Sequence, residues 1–381
     1  MAEGIRKVKT AVVGCGVISD IYLENMASVF SVLETAGCCD LNRDAAERTS
    51  QKYGIPVLTM EEILNNSEIE LAVNLTTPGA HYPVIKELLS GGKHVYTEKP
   101  LTVSLNQAEE LLALAGENKL LLGAAPDTFL GAAAQTARCI ADSGIIGEIT
   151  SCSAALNRDG GWMAEKYPYT AKPGGGIATD VGIYYITVLL SILGPVTEVS
   201  GFSETFRPER THYHLARPDF GGKFTIESEN LVAGSFRFAG GALGTIHLNA
   251  NSIQNEQPQL ILYGSEGILY LPDPNRFGGE VRVLLKGQNE PFVFPHTHGF
   301  SGNSRGLGAA ELAWSLRRGR QPRASKEMAY HGLELLLGLD QSSRTKTWYT
   351  MKSTFERPAP LPRGYLGPEY SNSNPEASLA V

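Results

Sequence analysis

The chain has 381 residues, 42% hydrophobic and 19% charged, the balance of a folded globular protein long enough for two domains. A formal net charge of -7 and a pI near 5.7 argue against nucleic acid or an anionic membrane as the main partner. Residues 1–9 are polar, no transmembrane run follows, and five scattered cysteines lack C-x-x-C spacing, so a cytoplasmic protein with reduced thiols is expected.

Residues 10–13 read as a buried strand that runs into Gly14-Cys15-Gly16-Val17-Ile18-Ser19, and 21–30 has helical spacing. This is a dinucleotide-binding turn, G-x-G-x-x-G, with serine in the third place. Gly14 permits the tight turn and Gly16 lets backbone approach a pyrophosphate. Val17 and Ile18 lead into a helix N-terminus whose N–H groups favour phosphate. The third glycine serves helix–strand packing, so serine there costs closeness rather than phosphate binding. A second strand, 34–39, ends at Asp40, 24 positions beyond Gly16. A carboxylate roughly 20 residues after the turn is placed to bond an adenosine ribose diol and repel a 2′-phosphate, which favours NAD. Arg43 could instead meet that phosphate and admit NADP. Asp40 could also act only as a cap for a helix over 43–53.

The alternation continues with a short strand at 55–58, a helix at 60–64, a strand at 71–75 and a helix at 81–89. Thr76, Thr77 and Pro78 lie where ligand loops lie, and His81 is a candidate cofactor contact. The strand at 94–97 ends in Glu98-Lys99-Pro100. Proline keeps Lys99 extended at the carboxyl end of that strand, where open α/β sheets bind ligands. A lysine there, beside a carboxylate, can exchange protons or hold an anion; the plainer alternative is a surface ion pair. A helix at 104–117 and a strand at 120–124 complete a doubly wound parallel sheet, an α/β Rossmann domain over 1–125.

The pattern changes at Ala125-Pro126-Asp127-Thr128-Phe129-Leu130-Gly131. A helix at 132–143, a strand at 151–156 and a polar, aromatic loop at 157–169 follow. The triplet Gly174-Gly175-Gly176 gives backbone the freedom to approach a ligand before an apolar helix starts. Asp180 and Tyr184, spaced i and i+4, share one face of that helix. Gly182 within it costs about 1 kcal/mol against alanine and signals close packing. An ordinary buried helix with an acid in its first turn is the alternative. From 196 onward, alternating runs at 231–238, 242–249, 259–263, 268–271 and 281–285 predict an antiparallel sheet in an α+β second domain over 126–355. A long polar insertion occupies 207–223, and helices are expected at 309–318 and 326–339. His296 and His298 have no paired acidic or cysteine spacing, so no metal is expected. Residues 356–381, rich in proline, serine and asparagine, read as an arm or disordered tail.

Together these pieces resemble the Gfo/Idh/MocA family of nicotinamide-dependent sugar and inositol oxidoreductases over about residues 8–355. The likeness rests on Gly14-x-Gly16, Thr77-Pro78 with His81, Glu98-Lys99-Pro100, and Gly174-Gly175-Gly176 followed by Asp180-x-Gly182. A branch carrying Ala-Pro-Asp-Thr-Phe-Leu-Gly and Asp-x-Gly-x-Tyr-Tyr looks closer still. The resemblance implies an N-terminal Rossmann domain and a C-terminal α+β domain with a large open, mostly antiparallel sheet, commonly used to form homodimers or homotetramers. It implies that Lys99 is the family's Glu-Lys-Pro lysine. Cofactor contacts are then expected from Gly14, Gly16, Val17, Ile18, Asp40, Arg43, Thr76, Thr77, Pro78, His81, Glu98, Lys99 and Asp127. Typical members carry histidine four residues after the aspartate, where this chain has Tyr184, and Thr187 replaces a frequent second aspartate.

The expected reaction is hydride transfer between a CH–OH of a sugar, glycoside or cyclitol and NAD, with NADP possible. Lys99 is the expected acid/base, its pKa lowered by desolvation, with Asp180 and Tyr184 orienting or donating. Asn157, Arg158 and Trp162 are expected substrate contacts beside Lys99, Asp180 and Tyr184. Two alternatives stay open. The departure at Tyr184 leaves room for an NAD-dependent, redox-neutral glycosidase or lyase acting through a transient keto-sugar. A non-catalytic NAD-binding regulator is the other, and retention of Lys99 with Asp180 argues against it.

Overall fold

The computed structural model describes residues 6–253 and 259–362. Five strands, β1 (Val8–Val13), β2 (Leu33–Cys39), β3 (Leu71–Asn74), β4 (His94–Thr97) and β5 (Leu122–Ala124), lie parallel in the order β2-β1-β3-β4-β5. The connecting helices are α1 (Ser19–Ser28), α2 (Arg43–Tyr53), α3 (Met60–Asn65), α4 (Pro78–Ser90) and α5 (Leu105–Glu117). Helices on both faces explain why β3 is buried at every residue and is apolar through Leu71, Ala72 and Val73. The chain order reverses beside β1, so β1 and β3 open their carboxyl ends onto a shared crevice. The segment at 55–58 is not a strand; it makes a single bridge, Val57 to Cys38.

After α6 (Ala132–Asp142) come β6 (Ile149–Asn157), α7 (Gly160–Lys166) and α8 (Ile183–Leu193). The remaining strands are β7 (Val196–Glu204), β8 (Glu209–Thr211), β9 (Lys223–Thr225), β10 (Leu231–Phe238), β11 (Leu243–Asn249), β12 (Gln259–Gly264), β13 (Gly267–Leu271), β14 (Val281–Leu285) and β15 (Phe292–Phe294). Helices α9 (Leu307–Arg318) and α10 (Lys326–Thr345) and the short β16 (Tyr349–Thr350) close the order. Nine of these strands form one sheet, β15-β14-β13-β12-β6-β11-β10-β7-β16, antiparallel except for β6 with β11. One face of this sheet receives α10, whose Leu339 fills the space left by Gly201 and Gly234.

Two expectations about loops are corrected. The aromatic stretch at 157–169 contains α7, started by Asp159, whose carboxylate accepts from the Trp162 N–H. An Asp in that position supplies the acceptor that a first turn lacks. The polar insertion carries a ribbon, β8 paired with β9. Helices α9 and α10, which follow the second sheet in sequence, return to pack on β4, β5 and α5. The chain at 356–362 lies along the second part of the molecule, with Leu361 buried and the Arg357 Nη1 donating to the Ile192 carbonyl at 2.6 Å. The tail expected beyond it, at 363–381, lies outside the described residues.

Candidate active site

Lys99 follows β4 directly, and its neighbours fix its direction. The Glu98 N–H donates to the Asn74 carbonyl at 2.8 Å, and Glu98 Oε1 accepts from the Tyr22 hydroxyl at 2.8 Å. The Lys99 N–H donates to Glu98 Oε2 at 2.9 Å. The ammonium then reaches across to α8's approach, where Nζ lies 2.8 Å from Asp180 Oδ1 and 2.5 Å from the Asp180 carbonyl. Asp180 sits in a π-turn, Ala178–Gly182, in which the Ile183 N–H bonds five residues back to Ala178. Such single turns recur at functional sites because they re-aim side chains within a helix. Gly182 is required for space: a Cβ there would stand 2.5 Å from Leu248 Cδ1.

Asp180 is the hub of the site. Its Oδ1 also accepts from the Tyr169 hydroxyl at 3.2 Å, and its Oδ2 accepts from Arg158 Nη2 at 2.8 Å. Burial pushes this carboxyl up, but Lys99 and Arg158 outweigh burial and hold it at about 2. For Lys99 the expectation of a lowered pKa is corrected. Burial does press it down, yet the Asp180 carboxylate outweighs that and raises it above the usual lysine value. Lys99 is therefore an ammonium at neutral pH. Tyr184 and Tyr169 are raised by burial and stay neutral phenols. Tyr184 lies under the Lys99 ammonium, 5.4 Å from ring centroid to Nζ.

These groups line one cavity of about 410 Å³. Its walls join Gly16, Val17, Ile18, Thr76, Thr77, Pro78, Glu98 and Lys99 of the first sheet to Arg158, Asp180 and Tyr184 of the second half. At the turn, Gly14 has φ +101° and a Cβ would meet the Leu75 backbone at 2.7 Å, so no other residue fits. A Cβ at Gly16 would meet nothing within 4 Å, the open approach a pyrophosphate needs. Ile18, at the α1 N-cap, offers no side-chain acceptor to the helix N-terminus. Ser19 is buried and turns its hydroxyl back to the Gly16 carbonyl at 2.6 Å. Asp40 accepts from the Cys15 N–H at 2.7 Å and from the Asn42 N–H at 2.7 Å, while Asn42, not Asp40, caps α2. The glycine turn and the helix N-terminus thus fit a dinucleotide pyrophosphate.

Other expected contacts are not at the cavity. His81 is fully buried, with Nδ1 2.6 Å from the Pro100 carbonyl and Nε2 3.0 Å from the Thr76 carbonyl, so it sits between two cavity loops. Asp127 is buried and accepts from the Gly306 and Gly308 N–H groups at 3.0 Å each, at the start of α9. Its carboxylate serves that helix end. Arg43 points outward to Glu47 at 2.8 Å. Asn157 accepts from Asn249 Nδ2 at 3.1 Å, and Trp162 is covered by the Lys166 ammonium; neither lines the cavity. The glycine triplet makes room for protein atoms, since Cβ groups at Gly175 and Gly176 would strike the Tyr169 carbonyl and the Glu229 carboxylate. Sequence reading missed Asn275 and Arg305, which complete the wall. Arg305 lies 206 positions from Lys99, in a loop with no motif, and no local signal points to it.

Residues 8–125 match the family model described as oxidoreductase family, NAD-binding Rossmann fold, and 134–270 match the Gfo/Idh/MocA C-terminal domain. An uncharacterised oxidoreductase of Schizosaccharomyces pombe is 28% identical over 52% of this chain and 56% of its own length. The alignment thus spans little more than half of that relative. A dTDP-3,4-didehydro-2,6-dideoxy-alpha-D-glucose 3-reductase of Actinomadura kijaniata is 27% identical over 84% of this chain and 91% of its own. The crystal structure of an aldose-aldose oxidoreductase from Caulobacter crescentus superposes with a TM-score of 0.78 at 18% identity, covering 91% of this chain and all of that one.

Proposed function

The chain belongs to the Gfo/Idh/MocA oxidoreductase family, and on that premise we propose that it transfers hydride between a carbohydrate or cyclitol CH–OH and NAD, with Lys99 carrying the proton. The observation that carries this reading is the Lys99–Asp180 pair at 2.8 Å, set in a cavity that also contains the dinucleotide turn. Kinship to sugar-acting proteins supports the substrate class.

Bound NAD supplies a hydride acceptor, and NADH a donor, at the nicotinamide ring. The turn at 14–19 would hold the pyrophosphate and Asp40 the adenosine ribose. Arg43 pairs with Glu47 while Asp40 holds the end of the second strand, which supports NAD over NADP. Thr76, Thr77, Pro78 and Glu98 would border the nicotinamide. A hydroxyl beside Lys99 loses its proton as its carbon loses hydride; in reverse, the ammonium gives a proton to the forming alkoxide. A raised lysine pKa makes the reverse direction the easier one at neutral pH. Asp180 keeps the ammonium aimed, and Tyr184 offers a second O–H donor. Elimination from a keto-sugar needs a base for a C–H proton. Beyond Lys99, the engaged Asp180 and Glu98 and the neutral tyrosines do not supply a second base, which supports simple hydride transfer over the redox-neutral alternative. The face of the second sheet away from α10, where Phe202 and Leu243 are exposed, is the surface proposed for pairing with a second copy.

The test incubates purified protein with NAD or NADP and a panel of sugars, inositols and glycosides, following reduced cofactor and aglycone together. Reduced cofactor in proportion to product is expected. Aglycone release at constant NADH would overturn it. Lys99→Ala should abolish turnover while NAD affinity, measured separately, persists; unchanged turnover would sink the role of Lys99.

A further inference from the structure

Resting on that reading, the lining chemistry goes on to name a substrate class: we infer that the substrate carries a carboxylate, received by Arg305. The cavity wall holds three cations, Lys99, Arg158 and Arg305, against two carboxylates, Glu98 and Asp180, in a chain whose net charge is -7. Lys99 and Arg158 share Asp180. Arg305 hydrogen-bonds to uncharged partners: Nη1 donates to Asn303 Oδ1 at 2.7 Å, Nη2 donates to Asn275 Oδ1 at 2.6 Å and less closely to its carbonyl, and the guanidinium also meets the Tyr184 hydroxyl; the Asp127 and Glu98 carboxylates act on it from beyond ion-pair distance. Its guanidinium also borders the Phe277 ring, 6.0 Å from the centroid. Among the described residues it forms no ion pair, although it is partly buried.

The hydrogen-bonding balance points the same way. A neutral polyol presents hydroxyl protons and needs acceptors on the wall. Here each Asp180 oxygen is engaged, and Glu98 accepts from Tyr22 and from the Lys99 N–H. Lys99, Arg305 and the Tyr184 hydroxyl make the wall rich in donors, and donors want an acceptor-rich ligand. One excess positive charge matches a monoanion, and the planar guanidinium matches the planar carboxylate. The asparagines on either side hold the fork still without neutralising it, so no ion pair inside the protein must break when the ligand binds.

The test compares pairs that differ only at C6: glucose with glucuronate and galactose with galacturonate, with glucose 6-phosphate as a third arm. Both NADH formation and thermal-shift binding to the NAD-loaded protein are read. A hexuronate should exceed its hexose at least 50-fold in kcat/KM. Arg305→Gln should collapse that ratio toward one, and Arg305→Lys should retain most of it. The ratio is informative even if the glutamine variant slows both substrates by disturbing Tyr184. Hexoses equal to or better than hexuronates, preference for the phosphate ester, or an unchanged ratio in Arg305→Gln would each overturn the inference. NADH formed only from neutral sugars would refute the carboxylate and leave hydride transfer standing. Hexuronate binding that depends on Arg305, with no redox change on any substrate, would refute hydride transfer and leave the anion site standing.

Discussion

Asp180→Asn keeps the shape of the side chain and removes its charge, which isolates what that charge does. The Lys99, Asp180 and Arg158 side chains are 11%, 6% and 10% exposed, so the substitution leaves two cations in a shielded site. Removing one partner of a buried pair typically destabilises by about 3–5 kcal/mol. The lower end, about 3 kcal/mol, applies because the cavity admits water and the amide oxygen still accepts a bond. Spread over the unfolding entropy of 381 residues, that corresponds to a fall of about 4 °C in the melting midpoint. The second consequence falls on Lys99. Without the carboxylate, burial is left as the main influence, and buried lysines drop by up to ~3–5 units. In the wild type, kcat/KM for oxidation should climb with pH through the neutral range, because the ammonium must first lose a proton. In the variant that climb should level off at about pH 7–8. Thermal melts and pH–rate profiles at saturating NAD measure both effects. If turnover is too slow, NMR of ¹³C-methylated Lys99 reports the same titration. A midpoint within about 2 °C of wild type, together with an unmoved Lys99 titration, would refute the control of Lys99 by Asp180.

Asp127 carries a pH signature of opposite sign to an ordinary carboxylate. Burial raises it to about 6 from 3.8, against the two N–H groups of α9 that lower it. A raised folded-state pKa favours folding below the unfolded value, and that contribution is lost as pH rises through about 6, amounting to about 3 kcal/mol. Asp127→Asn should therefore gain stability relative to wild type on going from pH 4 to pH 8, read by urea melts; parallel stability–pH curves would reject this. Gly182→Ala places a methyl 2.5 Å from Leu248 Cδ1 and should cost about 1–3 kcal/mol, with partial relief in the Leu248→Ala background. Additive losses in that double-mutant cycle would show that the two positions do not press on each other. Burial lowers the pKa of His81, so the neutral ring donates to one of the two carbonyls it faces, Thr76 or Pro100; His81→Ala removes that bond at about 1–3 kcal/mol, so melting should fall and NAD affinity weaken as the 76–78 loop loosens. Lowered stability with unaltered NAD affinity would confine His81 to folding.

The alternation of short apolar runs with helical stretches sets out the first sheet, because strands buried by helices on both faces are mostly apolar. The same local logic places the dinucleotide turn, since only glycine at position 14 survives the contact with Leu75. It also puts Lys99 at a strand end and a tight helix contact at Gly182. What it could not reach is anything decided by a partner distant in sequence. Lys99 invited the reading of a desolvated, lowered lysine, and burial does push that way. The carboxylate that reverses the shift arrives from 81 positions further along. Asp127 and His81 have the polarity of ligand contacts, and only packing shows that one meets a helix end and the other sits between two carbonyls. Arg305 has no motif around it and becomes part of the site because the chain returns after the second sheet to pack α9 against β4. Periodicity and turn chemistry act over a few residues and are written in the sequence. Charge compensation in a closed cavity depends on which groups the fold brings within a few ångströms, and that is settled by the tertiary structure.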